Sequence, residues 1–162
     1  MEHDHAISAP DWAVWLEASA LGEAARDSLW LYPIASIAHV LGIALLVGAI
    51  VSFDLRVLGM ARAMPFAAAA RLLLPVARVG FVAIVLSGTV MLAADATHVA
   101  TNDAFAVKKV LVVLALTNVV LFHRIAWPPE GTEPGQLART LAAFSAVLWL
   151  GVASSGRAIA YF

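Results

Sequence analysis

The side chains able to bind a metal, carry a proton or grip an anion are few in this sequence, and most fall inside long apolar stretches. Five histidines and no cysteines occur among its 162 residues. Without thiolates, disulfides, cysteine-bound zinc and cysteine-ligated iron–sulfur clusters are excluded, and a metal would be held through imidazole. His39 lies deep in the first apolar stretch. A polar side chain in hydrocarbon is costly to desolvate and is retained where it meets a partner or a cofactor. One imidazole suffices as the proximal ligand of a haem. His39 is therefore the candidate metal ligand, and its structural alternative is a neutral ring hydrogen-bonded to Asn118 or a serine, tying helices together.

Depth decides what His39 can meet. At ~1.5 Å of rise per residue, it falls roughly 14–16 Å below the outer end of its segment. Counting the same depth along the other segments reaches Ser87 and Thr89, then Asn118, then Ser154 and Ser155. Gly42, Gly88, Gly151 and Gly156 flank this layer, and small residues either let helices approach or leave room for a flat cofactor. Arg157, about one turn nearer the outer surface, either snorkels to the interface or turns inward to hold a carboxylate such as a haem propionate. His123 and His98 are the candidates for a second ligand, and both are displaced in height from His39, His123 by ~12 Å or more. His3 and His5 sit on a polar tail and read as solvated. Lys108 and Lys109 mark the outer interface, where a propionate or a lipid phosphate is a fitting partner. Asp54 and Arg56 read as a surface ion pair, worth little in energy. Trp149 reads as packing. No phosphate loop, serine triad or paired carboxylates occur, so nothing points to a hydrolase.

The elements that must position these groups are membrane helices. The apolar fraction is 62% and only 13% of residues are charged, against ~45–50% apolar in soluble domains. Four apolar stretches run over about 28–53, 75–94, 105–125 and 137–161. Each is near the ~20 residues that cross a bilayer as a helix, and only helices satisfy their own backbone there. Pro75 either kinks the second helix or marks its start. Residues 9–26 read as a short amphipathic helix capped by Ser8, with Pro10 in its first turn. Trp12, Trp15 and Leu16 share one face, suited to the headgroup region or to a lid over the bundle. Trp30, Tyr32, Trp127, Tyr161 and Phe162 fit interfacial belts. The expected fold is all-α: a transmembrane four-helix up-down bundle (28–162) preceded by a tail and interfacial helix (1–27).

The first five residues lack the basic start and apolar run of a signal peptide, so the first span serves as its own insertion signal. Arg56, Arg62, Arg71, Arg78, Arg124 and Arg139 lie at one end of the helices, and Arg26, Lys108, Lys109 and Arg157 at the other. The bias favours both termini outside, periplasmic in a bacterial inner membrane. A formal charge of -1 gives no reason to expect nucleic acid.

Several segments together resemble one family of small bacterial four-helix membrane proteins of unknown function. They are Leu31-Tyr32-Pro33 with His39-Val40-Leu41-Gly42, Asp54 to Gly59, Ser87-Gly88-Thr89, Asn102 to Phe105 leading to Lys108 or Lys109, Asn118 to His123, and the ending Gly156 to Phe162. The resemblance covers nearly the whole chain beyond the N-terminal helix. It implies four membrane helices and no established activity. His39, Asn118, His123 and Arg157 fall at motif positions, and His98 does not. A looser, purely architectural similarity is to small b-type cytochromes and copper-resistance membrane proteins.

Three function classes fit these residues. The leading one is an electron-transfer module holding haem b on His39, with Asn118, Ser87 and Ser154 around it and Arg157 and a lysine on propionates. Its electrons would pass to or from quinone or a partner subunit, with no independent catalytic activity required. The second is a non-catalytic subunit or assembly factor of a larger membrane complex, or a homo-oligomer, with the polar layer as structural glue. The third is transport of a metal ion or small solute, which one histidine without carboxylates or methionine pairs serves poorly.

Overall fold

The structure is a computed structural model that describes residues 9–158, with side chains to Gly156. Every regular element among them is helical: α1 (Asp11–Glu17), α2 (Ala20–Asp27), α3 (Leu31–Leu58), α4 (Phe66–Ala94), α5 (Ala96–Thr101), α6 (Asp103–Leu121) and α7 (Gln136–Ala158). A wide turn of i→i+5 type, Phe122–Ala126, prolongs α6. Four helices are long and apolar enough to cross a membrane: α3, α4, α6 with its wide turn, and α7. Their outward faces carry large apolar side chains, among them Ile34, Ile37, Val40, Leu41, Val79, Leu86, Val113 and Val147. Asp54, Arg56, Ser87, Asn118 and Ser145 are buried. An apolar exterior around polar interior groups is what a lipid solvent selects.

The spans are longer than hydropathy alone indicates. α3 continues past Phe53 to Leu58 and closes on Gly59, whose φ of 105° accommodates the left-handed cap. Pro75 stands inside α4, which begins at Phe66. Pro33 falls in the first turn of α3, where its missing N–H costs no helix bond. Ser28 Oγ accepts from the amides of Trp30 and Leu31, and Asn102 Oδ1 from those of Ala104 and Phe105, starting α3 and α6.

α4 packs on α3, α3 on α7 and α7 on α6, while α4 and α6 make no backbone approach among the described residues. The α3–α4 contact is the tightest. A Cβ placed on Gly80 would lie 2.6 Å from the Leu46 amide nitrogen and 2.8 Å from the Gly42 carbonyl oxygen. Only hydrogen at both positions permits that approach. At the end that carries the α3–α4 and α6–α7 connections, called inner for reference, Phe53, Val57, Phe66 and Phe122 form a buried cluster, and Trp127 closes it edge-on to Phe66 at 5.0 Å. Each such aromatic pair adds ~0.5–1.5 kcal/mol beyond its burial.

The N-terminal segment is two helices rather than one, broken at Ser19, whose hydroxyl accepts from the Gly22 amide. Ser8 lies outside the described residues, and Pro10 is itself the residue before the first turn. α1 and α2 sit on the outer ends of α4 and α5. Gly22 rests against the carbonyls of Glu17 and Ala93, and Ala13, Ala93 and Ala96 are wholly buried. The Glu17 carboxylate accepts from Thr97 N at 2.8 Å and Thr97 Oγ1 at 2.7 Å, which holds it below its ordinary range. Trp12, Trp15, Leu29 and Trp30 remain exposed. The segment is thus a lid that keeps an aromatic face outward.

Arg56 fastens the inner connections. Its side chain is 3% exposed, and Nη1 and Nη2 donate to the Glu133 carboxylate at 3.0 and 2.8 Å while Nε donates to Met64 O at 2.6 Å. The surface pair expected between Asp54 and Arg56 does not form. Both are buried, and at two positions apart on a helix their side chains point to opposite sides.

Two outcomes follow. Gly80→Val is expected to prevent α3 and α4 from docking, seen as loss of a monodisperse peak in detergent and of a cooperative thermal transition. The Arg56 guanidinium holds the Glu133 carboxyl below its ordinary value of 4.5. A depressed folded value means the stabilisation is complete above about pH 4.5 and is lost as pH falls through the folded value. Thermal midpoints measured downward from pH 7 should therefore fall less steeply below that point in Glu133→Gln, which starts from a lower midpoint at neutral pH.

Candidate functional site

Because α4 and α6 stand apart, a cleft runs between them over a floor made by α3 and α7. It holds two adjoining cavities, and Leu46, Phe81 and Trp149 line both.

The outer cavity, about 160 Å³, is lined by His39, Ile43, Ile84, Lys108, Val112 and Ala153 among others. His39 is half-buried, and its Nδ1 lies 3.0 Å from Ser87 Oγ. The Ser87 hydroxyl also bonds the Ala83 carbonyl of its own helix. A serine has one proton to donate. With that proton on the Ala83 carbonyl, the oxygen accepts from His39, so the neutral ring carries its hydrogen on Nδ1 and leaves Nε2 as a lone pair. Gly88 gives the ring its seat: a Cβ there would lie 3.1 Å from His39 Cε1. Lys108, near the outer end of α6, turns inward. Its Nζ lies against Gly156, 3.3 Å from where a Cβ would be, and it faces the same cavity as the imidazole. Lys109, by contrast, points outward over the Phe105 ring at 4.9 Å.

The inner cavity, about 420 Å³, is lined by Asp54, Ala77, Arg78, Asn118, His123 and Ser145 together with large apolar side chains. Its rim residues Arg78, Val82, Leu116 and His123 are exposed, whereas Asp54, Asn118, Ser145 and Trp149 are buried. Three buried side-chain polar atoms lack a hydrogen-bond partner among the described residues: Asp54 Oδ2, Arg139 Nε and Trp149 Nε1. Asp54 lines this cavity, and Trp149 lines it and the outer one.

The single polar layer expected from depth is thereby split. His39 and Ser87 do meet, and Lys108 joins them. Asn118 lies ten residues beyond Lys108 on α6, ~15 Å further in, and donates from Nδ2 to Leu141 O at 3.1 Å. The count went astray because α3 starts at Leu31, which puts His39 only ~12 Å below its outer end. Thr89 and Ser154 are exposed and bond their own helices, at Val85 O and Leu150 O. Ser155 bonds Val152 O. His98 is exposed and pairs with Asp95 at 3.4 Å. His123 lies on the wide turn, donates from Nδ1 to Val119 O, and stacks on Trp127 at 5.2 Å. Neither shares a cavity with His39. The side chain of Arg157, and all of His3 and His5, lie outside the described residues. No group of three or more histidines and carboxylates able to hold a metal ion occurs among the described residues.

Asp54, Ser145 and Trp149 were not singled out as site residues, and Lys108 was placed at the surface. A signal for Asp54 was present: the apolar run resumes after it at Leu55, Val57 and Leu58, so it lies within the helix rather than at its end.

Residues 12–162 match the model of a family of unknown function, DUF6644. The chain belongs to that family. The family is described only as one of unknown function, and the four-helix membrane architecture rests on the spans themselves. No curated protein and no solved structure matches the chain.

The hydrogen-bond chain at His39 has a spectroscopic consequence. In ¹⁵N-histidine-labelled protein the neutral His39 ring should show the Nδ1–H tautomer, and Ser87→Ala should abolish that preference while costing about 1 kcal/mol of stability. A ring already in the Nε2–H form would show that the hydroxyl donates to it instead.

Proposed function

We propose that the chain is a membrane electron-transfer module that binds haem b with His39 Nε2 as axial ligand. The observation that carries the reading is the Ser87 contact, which engages Nδ1 and leaves Nε2 open in a cavity shared with Lys108. A ligating imidazole is commonly oriented through its other nitrogen in this way. The donor set fits the group: one fixed imidazole, one ammonium suited to a propionate, and apolar walls. The outer cavity alone is small beside the ~300–1,000 Å³ of cofactor sites. It adjoins the 420 Å³ inner cavity across three side chains, and both lie in the gap between α4 and α6. Bound haem would supply one-electron chemistry at its iron. The chain's own residues set the ring's tautomer, present the ammonium of Lys108, and surround both with hydrocarbon that excludes water. Arg157 is the second cation we assign to a propionate.

The same reading places the protein in a bacterial inner membrane with both termini periplasmic. Its support is the arginine-rich inner connections, where Arg62, Arg71 and Arg124 are exposed. A quinone or a larger membrane complex would be the redox partner.

Full-length protein purified in detergent from haem-sufficient cells is expected to show a Soret band and a b-type pyridine haemochrome. His39→Ala should remove both, Lys108→Met should weaken haem retention, and Lys109→Gln should change neither. A colourless, folded wild-type chain would overturn the reading in favour of a non-catalytic subunit of a larger assembly.

A further inference from the structure

α4 carries a cation at a depth where hydrocarbon surrounds it. The helix runs for 29 residues from Phe66 to Ala94 and so measures ~43 Å, against ~30 Å of hydrocarbon. Set evenly across that core, it overhangs each boundary by ~7 Å. Arg71 then lies at the inner boundary, and Arg78, ~18 Å from the start of the helix, lies ~11 Å inside it. Both arginines are exposed. They are seven residues apart, close to two full turns, and share one face. Pro75, Val82 and Val85 continue that face and are exposed as well. The stripe is cationic toward the inner boundary and apolar beyond it. A phospholipid of the leaflet at that end presents its phosphate and its acyl chains in the same order.

A guanidinium stays charged, and a charge in the membrane interior requires a counter-charge or water. The chain supplies no counter-charge here. No acidic residue occurs between Asp54 and Asp95, so α4 has none, and none occurs between Asp103 and Glu130, so α6 and its wide turn offer none across the cleft. Among the described residues Glu133 pairs with Arg56 and Asp95 with His98, and no carboxylate pairs with Arg71 or Arg78. Asp54, which lines the same cavity as Arg78, is buried and makes no ion pair with it. On the α6 side the exposed rim residue is His123, followed by a further exposed arginine, Arg124.

We infer that Arg71 and Arg78 bind the phosphate of an anionic phospholipid in the leaflet at the inner end, with the Arg78 side chain reaching along α4 toward the boundary and an acyl chain lying on Val82 and Val85. The planar guanidinium takes two phosphate oxygens at once. A headgroup without its own ammonium is favoured, because two unpaired arginines repel a further cation. The inference involves neither His39 nor haem.

The test is native mass spectrometry of the full-length chain, delipidated in detergent and titrated with phosphatidylglycerol or, separately, phosphatidylcholine. Phosphatidylglycerol is expected to be retained in preference to phosphatidylcholine and to raise the thermal midpoint. Arg78→Leu should weaken its retention about tenfold and remove the thermal shift. That substitution replaces an exposed charge in the span with an apolar side chain, so the midpoint of the lipid-free protein should not fall. Arg78→Lys, which keeps the charge and loses the fork, should fall between the two. Arg62→Gln should change nothing, since Arg62 sits on the α3–α4 connection with its Nε on Gly59 O at 3.0 Å. Retention by Arg78→Leu equal to that of the wild type, or phosphatidylcholine bound as tightly as phosphatidylglycerol, overturns the inference. Displacement of the lipid by excess inorganic phosphate overturns it too, because the ligand would then be a free anion.

Discussion

A helix can lie at backbone distance from one neighbour only by leaning away from another. α4 leans on α3 through Gly42 and Gly80, where no side chain fits between the two backbones. That commitment decides the rest of the bundle. α3 is also packed on α7, and α7 on α6, so three sides of the square are closed and the fourth, α4 against α6, is left open. Both cavities are products of that open side. The inner one is large because Phe53, Phe122 and Trp127 hold the inner ends together while nothing bulky fills the space above them.

Polar satisfaction orders the interior in the same economical way. In hydrocarbon a helix already uses its backbone groups, so each buried side chain must find a specific acceptor or donor. Ser87 bonds Ala83 and orients His39; Asn118 bonds Leu141; Arg56 reaches out of the bundle to Glu133 and Met64. Against this background the unmet atoms of Asp54 and Trp149 stand apart. Arg139, the remaining case, lies near the start of α7 among the inner connections, away from either cavity's lining.

How much could be read from residues alone follows from what each signal depends on. The four spans depend on composition over ~20 residues, and no tertiary contact alters that. Their ends depend on local chemistry: Gly59 stops α3 five residues beyond the apparent apolar boundary at Phe53. The partnership of His39 with Ser87 was legible because both lie at similar distances from the outer ends of adjacent, tightly packed helices. Asn118 was misjudged because the depths differ once the helix starts are fixed: it stands ~22 Å from the start of α6 at Asp103, against ~12 Å from Leu31 to His39. Which lysine faces the cavity was not legible, because sequence neighbours Lys108 and Lys109 look alike, yet helix geometry turns one inward to Gly156 and the other outward over Phe105. Trp149 looked like simple packing, since a missing partner for its N–H becomes visible only when all surrounding helices are in place.

The two N-terminal helices bear on where this protein could be shortened. Gly22 lies on the Ala93 carbonyl, Arg26 donates to the Ala94 carbonyl at 3.5 Å, and Glu17 takes the Thr97 amide. A truncated chain beginning at the first span would strip these partners from the junction of α4 and α5 and bare the small side chains beneath. The helices before the first span thus pack on the spans they precede, and the packed unit reaches back to Asp11.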